Sequence, residues 1–466
     1  HALHGANLIL NLSASNETVT KSDYRRELVR QQSARCLAGY VFCSAGQGES
    51  TTDLVFGGHT ILAENGRIAR EMIFPESSAC TWYDMDIEKL RNDRIRNNSF
   101  AAKAEPEEYR SIKWNGDGDP DVKECFSVDP HPFVPGDASE KDVRCREIFR
   151  LQSAGLAERL RKTGIQKAVI AVSGGLDSTL ALLVTAGAFH ILGLPEKNII
   201  GITMPGLGTT KRTHQNAVTL MQELCVTTRE ISIVEACMQH FRDIGHDASV
   251  HDVTFENTQA RERTQILMDV ANQEGGLVIG TGDLSELALG WCTYNGDHMS
   301  NYAVNAGVPK TLVRHLISWY AETTKNERVA EALRDILETP ISPELLPADK
   351  DGHIAQKTEE TIGPYELHDF FLYHMVRNGF SPAKILKLAT LAFPSYPPRE
   401  ILKWLSVFYK RFFTQQFKRS CLPDGVKVGS VCLSPRGDWR MPSDASAGLY
   451  LAELKTAAAE LESGSL

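Results

Sequence analysis

Short apolar runs alternate with longer segments of helical periodicity from about residue 141 onward. This pattern favours an α/β fold, in which a doubly wound parallel sheet carries helices on both faces. Ligands of such sheets bind at the carboxyl ends of the strands. Beyond about residue 310 the pattern is mostly helical. The predicted elements before that point are helix 141–162, strand 167–172, helix 178–192, strand 199–203, helix 210–225, strand 229–233, helix 256–273, strand 277–280 and helix 283–289.

The first hundred residues have a separate pattern, with a predicted strand at 6–12, a helix at 22–37, a strand at 39–45 and a hairpin around Asn65-Gly66. Asn-Gly between two apolar runs is a strong signal for a two-residue hairpin turn. Residues 101–140 are polar and rich in Gly, Pro and Asp, which indicates a linker. We therefore divide the chain into residues 1–100, the linker 101–140 and residues 141–466.

Length and composition narrow the class of protein. At 466 residues, with 42% hydrophobic residues, the chain suits a globular protein of two or three domains. A formal net charge of −9 argues against a nucleic-acid partner, and no apolar run is long enough to suggest a membrane span. The ten cysteines form no Cys-x-x-Cys pair, which favours reduced thiols in a cytoplasmic protein.

One loop carries the strongest chemical signal. It follows the strand at 167–172 and reads Ala171, Val172, Ser173, Gly174, Gly175, Leu176, Asp177 and Ser178. Glycines, hydroxyls and a helix N-terminus together form an anion site, although a capped strand-to-helix turn is the plainer interpretation. No lysine follows the glycines, so this is not a Walker A loop. Asp177 would repel bound phosphates unless Mg²⁺ lay between them.

A second loop of the same kind follows the strand at 277–280. Thr281 is positioned to contact a nucleotide there, and Glu286 to share Mg²⁺ with Asp177. Asp283 and Glu286 also fit a simple capping box. The next segment, 289–298, interleaves aromatic and polar residues, which suits either a planar ring ligand or a packed loop. Arg263, on the polar helix before this strand, is assigned to a solvated face.

Together these segments resemble the glutamine-dependent NAD⁺ synthetases, a family whose phosphate loop is shared with other ATP pyrophosphatases. The resemblance covers nearly the whole chain. It implies an adenine nucleotide alpha-hydrolase-like, Rossmann-like synthetase domain at 141–466 and a partial nitrilase-like α-β-β-α glutaminase domain at 1–100. The segments that carry it are 11–16, 129–133, 171–178, 254–263, 280–297, 302–310 and 416–443.

The resemblance implies an ATP-dependent amidation of deamido-NAD⁺ through a nicotinate acyl-adenylate, with release of AMP and pyrophosphate. Glutamine or free ammonia supplies the nitrogen, ATP and Mg²⁺ are required, and the enzymes form homo-oligomers. The residues matched to ATP are 171–178 and Thr281, and those matched to Mg²⁺ are Asp177 and Glu286. Asp297 and Lys310 match partners of the reacting groups. The residues matched to deamido-NAD⁺ are Asn257, Glu286, Trp291, Cys292, Thr293, Tyr294 and Lys418.

The glutaminase half departs from the family pattern. The family's catalytic Glu, Lys and nucleophilic Cys are expected upstream of His1, and neither Cys36 nor Cys43 matches the nucleophile. Ser15 and Lys21 match glutamine contacts. We therefore expect no glutamine hydrolysis by this chain. Two alternatives stay open: another enzyme with the same loop, such as a tRNA-thiolating or GMP-forming one, and a non-catalytic subunit of a synthetase oligomer.

Overall fold

The computed structural model describes residues 1–76, 79–100, 109–113, 128–136, 140–339, 345–346 and 358–463. The chain forms two compact units. The first comprises His1–Val128 with Asn378–Phe380, and the second comprises Asp129–Arg377 with Ser381–Leu466. Most of the linker predicted at 101–140 lies outside the described residues.

The first unit contains a mixed sheet of four strands in the order β1-β2-β3-β4. β1 and β2 are parallel and the other neighbouring pairs are antiparallel. The hairpin between β3 and β4 turns at Asn65-Gly66, and both residues have positive φ, as the sequence predicts. The elements are β1 Leu8–Ser13, α1 Lys21–Cys36, β2 Gly39–Ser44, β3 Thr60–Glu64, β4 Arg67–Met72 and α2 Ile87–Arg96.

Helix α1 covers one face of this sheet, where Val29 packs with Phe42, Ile61 and Ala63. On the edge strand β1, by contrast, Leu8, Leu10 and Leu12 are exposed. These three leucines alternate along the strand and therefore lie on one face of it. The apolar pattern at 6–12 predicts a buried strand. The structure has a strand there, but its alternate leucines are exposed.

The second unit contains β5 Ala168–Ala171, β6 Ile199–Thr203, β7 Thr227–Glu230, β8 Leu277–Gly280 and β9 Tyr302–Ala303. Its helices up to β9 are α3 Lys141–Thr163, α4 Leu176–Leu192, α5 Lys211–Glu223, α6 Val234–Ile244, α7 Val253–Glu274 and α8 Leu284–Leu289. The later helices are α9 Lys310–Thr323, α10 Glu327–Glu338, α11 Thr358–Ile362, α12 Tyr365–Leu372, α13 Pro382–Ala392, α14 Pro398–Thr414, α15 Gln416–Arg419 and α16 Gly448–Ser463. A π-helical turn, Tyr373–Arg377, follows α12.

The five strands of the second unit are parallel and lie in the order β7-β6-β5-β8-β9. From β5 the chain moves outward to β6 and β7, then returns to place β8 on the other side of β5. The order therefore reverses between β5 and β8, and ligands of open α/β sheets bind at such a switch point. The two loops singled out in the sequence leave the carboxyl ends of these two strands.

Apolar clusters lie on both faces of this sheet. Ala168 and Ile170 belong to one cluster, with residues of α3, α4, α5, α9 and α10. Val169, between them in β5, belongs to the other cluster, with residues of α6 and α7. Because successive side chains of a strand point to opposite faces, a strand covered on both faces is apolar throughout. The predicted doubly wound sheet is confirmed.

Some predicted boundaries are wrong. Helix α7 begins at Val253, before the predicted 256, because the Asp252 side chain accepts hydrogen bonds from Thr254 N and Phe255 N. The strand predicted at 229–233 is instead Thr227–Glu230, and Ile233 is a buried residue at the start of α6. No helix in the described part of the chain is both long and apolar enough to cross a bilayer.

Leu333 in α10 tests the larger apolar cluster, because its side chain is fully buried there. We expect Leu333→Ala to lower the free energy of unfolding by about 2–5 kcal/mol, through lost burial and the cavity left behind. Leu449→Ala is the matched control, since Leu449 is 86% exposed. Urea denaturation followed by circular dichroism measures both, and equal midpoints for the two variants would contradict the assigned core.

Candidate functional site

The loop between β5 and α4 is shaped by one glycine and two hydroxyls. Gly174 has a φ of +87°, and a Cβ there would overlap the carbonyl oxygen of Thr213. Ser173 Oγ accepts a hydrogen bond from Gly175 N at 3.2 Å, and Ser178 Oγ accepts one from Ser173 N at 3.3 Å. Gly175 is the N-cap residue of α4. The loop therefore presents its backbone at a helix N-terminus, as an anion site requires.

The loop between β8 and α8 contains the predicted capping box. Asp283 Oδ1 accepts a hydrogen bond from Glu286 N at 2.8 Å, and Glu286 Oε2 accepts one from Asp283 N at 3.4 Å. Each carboxylate thus uses one oxygen to begin the helix. The second oxygen of each remains for another partner, so capping and ligand chemistry coexist in these two residues.

Lys310 is the partner of those second oxygens. Its Nζ lies 2.8 Å from Asp283 Oδ2 and 3.0 Å from Glu286 Oε1. Across the gap between the two loops, the same Nζ lies 2.6 Å from Asp177 Oδ2. The Lys310 side chain is only 3% exposed. One ammonium therefore joins three carboxylates, and when all are ionised the group carries two negative charges in excess.

Burial and charge act in opposite directions on this cluster. Burial raises the pKa of Glu286 and the pKa of Asp283 because the low-dielectric interior disfavours a carboxylate. Burial alone would lower the pKa of Lys310, but the attraction of Asp177, Asp283 and Glu286 outweighs it and raises that pKa well above its usual value. Lys310 is thus held as a cation, with more negative charge around it than it can neutralise.

Asn305 connects the two loops through their backbones. Its Nδ2 donates to Asp177 O at 2.9 Å and to Thr281 O at 3.1 Å. Its Oδ1 accepts from Gln152 Nε2 at 3.1 Å, and both amide side chains are fully buried. A buried amide whose donors and acceptor are all engaged has one orientation. Asn305 therefore fixes the distance between the phosphate loop and the start of α8.

The three carboxylates also form a donor set suited to a divalent cation. Asp177, Asp283 and Glu286 each offer an oxygen, and these oxygens lie within 4.8 Å of one another. Asp177 Oδ1 is buried and has no hydrogen-bond partner among the described residues. Carboxylate oxygens are the ligands that Mg²⁺ prefers. The donor set fits the predicted ion, and it includes Asp283, which the sequence indicated only as a helix cap.

Asp177, Glu286 and Lys310 line a cavity of about 510 Å³, whereas Asp283 is fully buried and does not line it. Val172, Gly174 and Tyr294 do not line it: Val172 is buried in the core, Gly174 packs against α5, and the Tyr294 ring contacts the Phe417 ring at a tilt. Ser15 and Lys21 belong to the first unit, where Lys21 Nζ donates to Asn16 Oδ1 at 2.8 Å. The predicted residues that line the cavity are Ala171, Ser173, Gly175, Leu176, Asp177, Ser178, Asn257, Thr281, Glu286, Trp291, Cys292, Thr293, Asp297, Lys310 and Lys418.

The aromatic and polar segment after α8 forms another part of the cavity wall. Thr293 Oγ1 donates to Asn257 Oδ1 at 2.7 Å, and Thr293 N donates to Asp297 Oδ1 at the same distance. Burial raises the pKa of Asp297, although the hydrogen bond from Thr293 opposes this change. These contacts keep the segment folded against α7 and leave Trp291 and Cys292 at the cavity surface.

Three cations that are distant in sequence hold the carboxyl end of α8, and we call them the α8 collar. Lys418 Nζ donates to Gly290 O and Cys292 O, both at 2.7 Å. Arg411 Nε donates to Leu289 O at 2.9 Å, and the buried Arg419 donates to Leu287 O and Ala288 O. Carbonyls at a helix carboxyl end attract cations. Of the collar, the sequence indicated only Lys418.

The prediction that Arg263 lies on a solvated helix face is wrong. Arg263 lines the cavity, and its Nε donates a hydrogen bond to Met204 O at 3.3 Å. Helical periodicity cannot distinguish solvent from a polar cavity, since both accept charged side chains. The neighbouring Arg261 is exposed, and its Nε donates to Tyr294 O.

The sheet order and the loop pair at its switch point place the second unit in the Rossmann-like, adenine nucleotide alpha-hydrolase class. Comparison with known proteins is more specific. Residues 148–410 match the family described as NAD synthase, which is more than half of the chain. The chain therefore belongs to the NAD synthase family, and it is an enzyme of the ligase class.

Two relatives show the extent of the match. The glutamine-dependent NAD(+) synthetase of Mycobacterium tuberculosis is 44% identical over 97% of this chain and 71% of its own length. The Thermotoga maritima protein of the same name is 28% identical over 94% of this chain and 70% of its own length. Sequence similarity thus extends through both compact units.

A solved structure supports the fold. The glutamine-dependent NAD(+) synthetase from Cytophaga hutchinsonii matches 98% of this chain and 71% of its own, with a TM-score of 0.56 and 20% sequence identity. At this identity the match concerns the fold alone. It agrees with the expected combination of a Rossmann-like domain and an N-terminal nitrilase-like domain.

Adjacent glycines test the loop geometry. We expect Gly174→Ala to lower the free energy of unfolding by at least about 1 kcal/mol, because a left-handed backbone penalises any Cβ and Thr213 O blocks it here. In Gly175→Ala the new Cβ would meet only Ser173 Oγ, at 3.5 Å, so a smaller loss is expected. Thermal unfolding of both variants measures the difference. Equal losses would show that the Gly174 conformation is not required.

Proposed function

We propose that this enzyme converts deamido-NAD⁺ to NAD⁺ by ATP-dependent amidation through a nicotinate acyl-adenylate, with release of AMP and pyrophosphate. The observation that carries the proposal is the convergence of Asp177, Asp283, Glu286 and Lys310 beside the phosphate loop, where all of them except Asp283 line a single cavity. A carboxylate becomes a good acyl donor only after it acquires a leaving group. Adenylation supplies that group.

In this proposal ATP binds across residues 171–178 and Thr281. The backbone N–H groups at the start of α4 and the hydroxyls of Ser173 and Ser178 bind phosphate oxygens. Lys310 offsets part of the carboxylate charge that would otherwise repel the phosphates, an effect that is strong in a site with little water. The helix N-termini of α4 and α8 both face the same region and add to this attraction.

Asp177, Asp283 and Glu286 are the proposed ligands of Mg²⁺. The ion, when bound, supplies charge neutralisation for attack at phosphorus. The chain's own contribution is to hold three carboxylates in fixed positions. Asn305 fixes the backbone of the loop that carries Asp177, and the capping box fixes Asp283 and Glu286. The site is therefore organised before any nucleotide is bound.

Deamido-NAD⁺ is proposed to bind along the aromatic part of the cavity. Trp291 offers a planar surface for a ring, while Asn257 and Thr293 offer hydrogen-bonding groups. Glu286, Cys292, Tyr294 and Lys418 complete the proposed contacts. Tyr294 would contribute from the outer edge, since it lies outside the cavity lining. Lys418 has two roles, because the same ammonium that faces the cavity also holds the backbone of Gly290 and Cys292.

Attack by ammonia on the acyl-adenylate forms the amide and releases AMP. This step depends mainly on positioning and on exclusion of water, which would otherwise hydrolyse the intermediate. Asp297 is the proposed partner of the incoming nitrogen, because it is a buried carboxylate on the cavity wall. The relatives are named as glutamine-dependent, and Ser15 and Lys21 are the proposed glutamine contacts of this chain. A homo-oligomeric state stays a prediction.

The direct test is NAD⁺ formation by the purified chain with deamido-NAD⁺, ATP and Mg²⁺. Ammonium and glutamine are supplied separately, so that the synthetase reaction is measured independently of the nitrogen source. We expect activity with ammonium, and a decrease in kcat/KM of about a hundredfold or more in Asp177→Asn, since that variant removes charge from the reacting centre. The control is Asp247→Asn, because Asp247 bonds only within an exposed loop.

Two outcomes would count against the proposal. No NAD⁺ with either nitrogen source, combined with ATP binding but no pyrophosphate release, would favour a non-catalytic subunit. Equal activity in Asp177→Asn and Asp247→Asn would remove Asp177 from the reaction. Chromatography of the nucleotides measures NAD⁺ and AMP formation, a coupled pyrophosphatase assay measures pyrophosphate release, and equilibrium dialysis measures ATP binding.

A further inference from the structure

A fourth carboxylate lies behind the site, outside the cavity lining. Asp369, on α12, is only 2% exposed. Its Oδ2 accepts hydrogen bonds from Thr311 N at 3.0 Å and from Thr311 Oγ1 at 2.7 Å, and its Oδ1 accepts one from Ser285 Oγ. Ser285 Oγ in turn accepts from Lys310 N at 2.8 Å. Asp369 is therefore linked both to the residue before Glu286 and to the backbone of Lys310.

These bonds meet a structural need of helix α9. Its N-cap residue is Pro309, whose side chain cannot accept a hydrogen bond, and Lys310 is the first helical residue. The first N–H groups of a helix need acceptors from elsewhere. Asp369 supplies one for Thr311 N, and Ser285 supplies one for Lys310 N. The negative charge of Asp369 is also favourable at the positive end of α9.

The requirement is for a carboxylate and not simply for a polar side chain. All three groups bonded to Asp369 are donors, so both of its oxygens must accept. Asparagine has one oxygen and no charge: with that oxygen facing Thr311, its amide nitrogen can only donate to Ser285 Oγ, which reverses the bond that Ser285 gives to Asp369. Burial raises the pKa of Asp369 to about 6, and the bonds from Ser285 and Thr311 counteract that effect. Burial of this carboxylate therefore costs free energy, and we attribute its presence to the position that it holds.

The same helix also contacts the Lys310 side chain. Tyr365 lies four residues before Asp369, on the same face of α12. Its ring centre is 5.2 Å from Lys310 Nζ, within the range of a cation–π contact. Helix α12 therefore holds Lys310 at two points, through the backbone at the start of α9 and through the side chain.

We propose that Asp369 is a positioning residue that holds the Lys310 ammonium between the two loops, which places it to act in the proposed reaction. Asp369 reaches neither the cavity nor the three carboxylates around Lys310, and it acts through Ser285 and the first turn of α9. This inference rests on the proposed function for its catalytic consequence. The positioning itself is open to a test that needs no activity.

The kinetic test uses Asp369→Asn. We expect kcat for ammonium-dependent NAD⁺ formation to decrease about ten- to a hundredfold, because a small displacement of a reacting group has effects of this size. The KM for deamido-NAD⁺ should not change, since Asp369 has no contact with the cavity. Asp142→Asn is the control: Asp142, in the first turn of α3, accepts a hydrogen bond at 2.9 Å from Trp319 Nε1, near the other end of α9.

A double-variant cycle separates positioning from general loss of structure. Single-turnover pyrophosphate release is measured for Asp369→Asn in the unchanged protein and in Lys310→Ala. If Asp369 acts through Lys310, its substitution should change the rate less than about twofold once the lysine side chain is gone, because coupled residues are not additive. The same factor in both backgrounds would overturn the proposal. Thr311→Val removes only one of the three bonds to Asp369 and should decrease the rate less. It serves as the second test variant if Asp369→Asn folds poorly.

Chemical labelling tests the position of Lys310 without any turnover. Acetic anhydride acetylates accessible amines, and peptide mass spectrometry gives the rate at Lys310 relative to Lys167, which is partly exposed. We expect Asp369→Asn to increase the relative rate about fivefold or more, and Asp142→Asn to leave it unchanged. An unchanged rate in Asp369→Asn would refute the positioning role. If the protein without substitutions forms no NAD⁺, but Asp369→Asn still increases the labelling rate of Lys310, only the proposed function is refuted.

Discussion

A buried ammonium surrounded by three carboxylates is the interaction on which the rest of this site depends. Removing charges from water is costly, and the cost is recovered only when geometry is tight and the remaining hydrogen bonds are satisfied. The geometry around Lys310 is tight, and Asp177 Oδ1 is a buried oxygen of this cluster that has no hydrogen-bond partner among the described residues. Asn305 fixes one loop against the other, the capping box orients Asp283 and Glu286, and Asp369 and Ser285 anchor the start of α9.

Side chains of opposite charge lie at the two ends of helix α8. Carboxylates lie at its amino end, and the α8 collar, Arg411, Lys418 and Arg419, binds the carbonyls at and beyond its carboxyl end. Both placements agree with the helix dipole. The helix is only six residues long, so its stability comes from these contacts more than from its own hydrogen bonds. The proposed metal ligands and the proposed ring-binding segment are thereby joined by one rigid element.

Sequence reasoning works best here where one local signal has one meaning. The apolar runs of β5 and β8 and the glycines after them predict the doubly wound sheet and the place of the site, and Asn65-Gly66 predicts its hairpin. The two-residue strand β9 has no apolar period of its own, because pairing with β8 alone defines it. The sequence predicts Asp283 only as a helix cap, because the capping box with Glu286 fully explains the local pattern. Arg411 and Arg419 had no signal, since their partners are backbone carbonyls more than a hundred residues away.

The adjacency of β5 and β8 has a consequence for how the protein folds. These strands pair directly, yet the whole of β6, β7 and four helices lies between them in sequence. Pairing over such a separation is slow, because the loop must close before the contact can stabilise it. As the chain grows from its amino end, Asp177 is the first of the four clustered charges to be made. Asp283, Glu286 and Lys310 follow only after β8. Until then Asp177 lacks Lys310, its counter-ion, so the charged centre of this enzyme is completed only after β8 has been made.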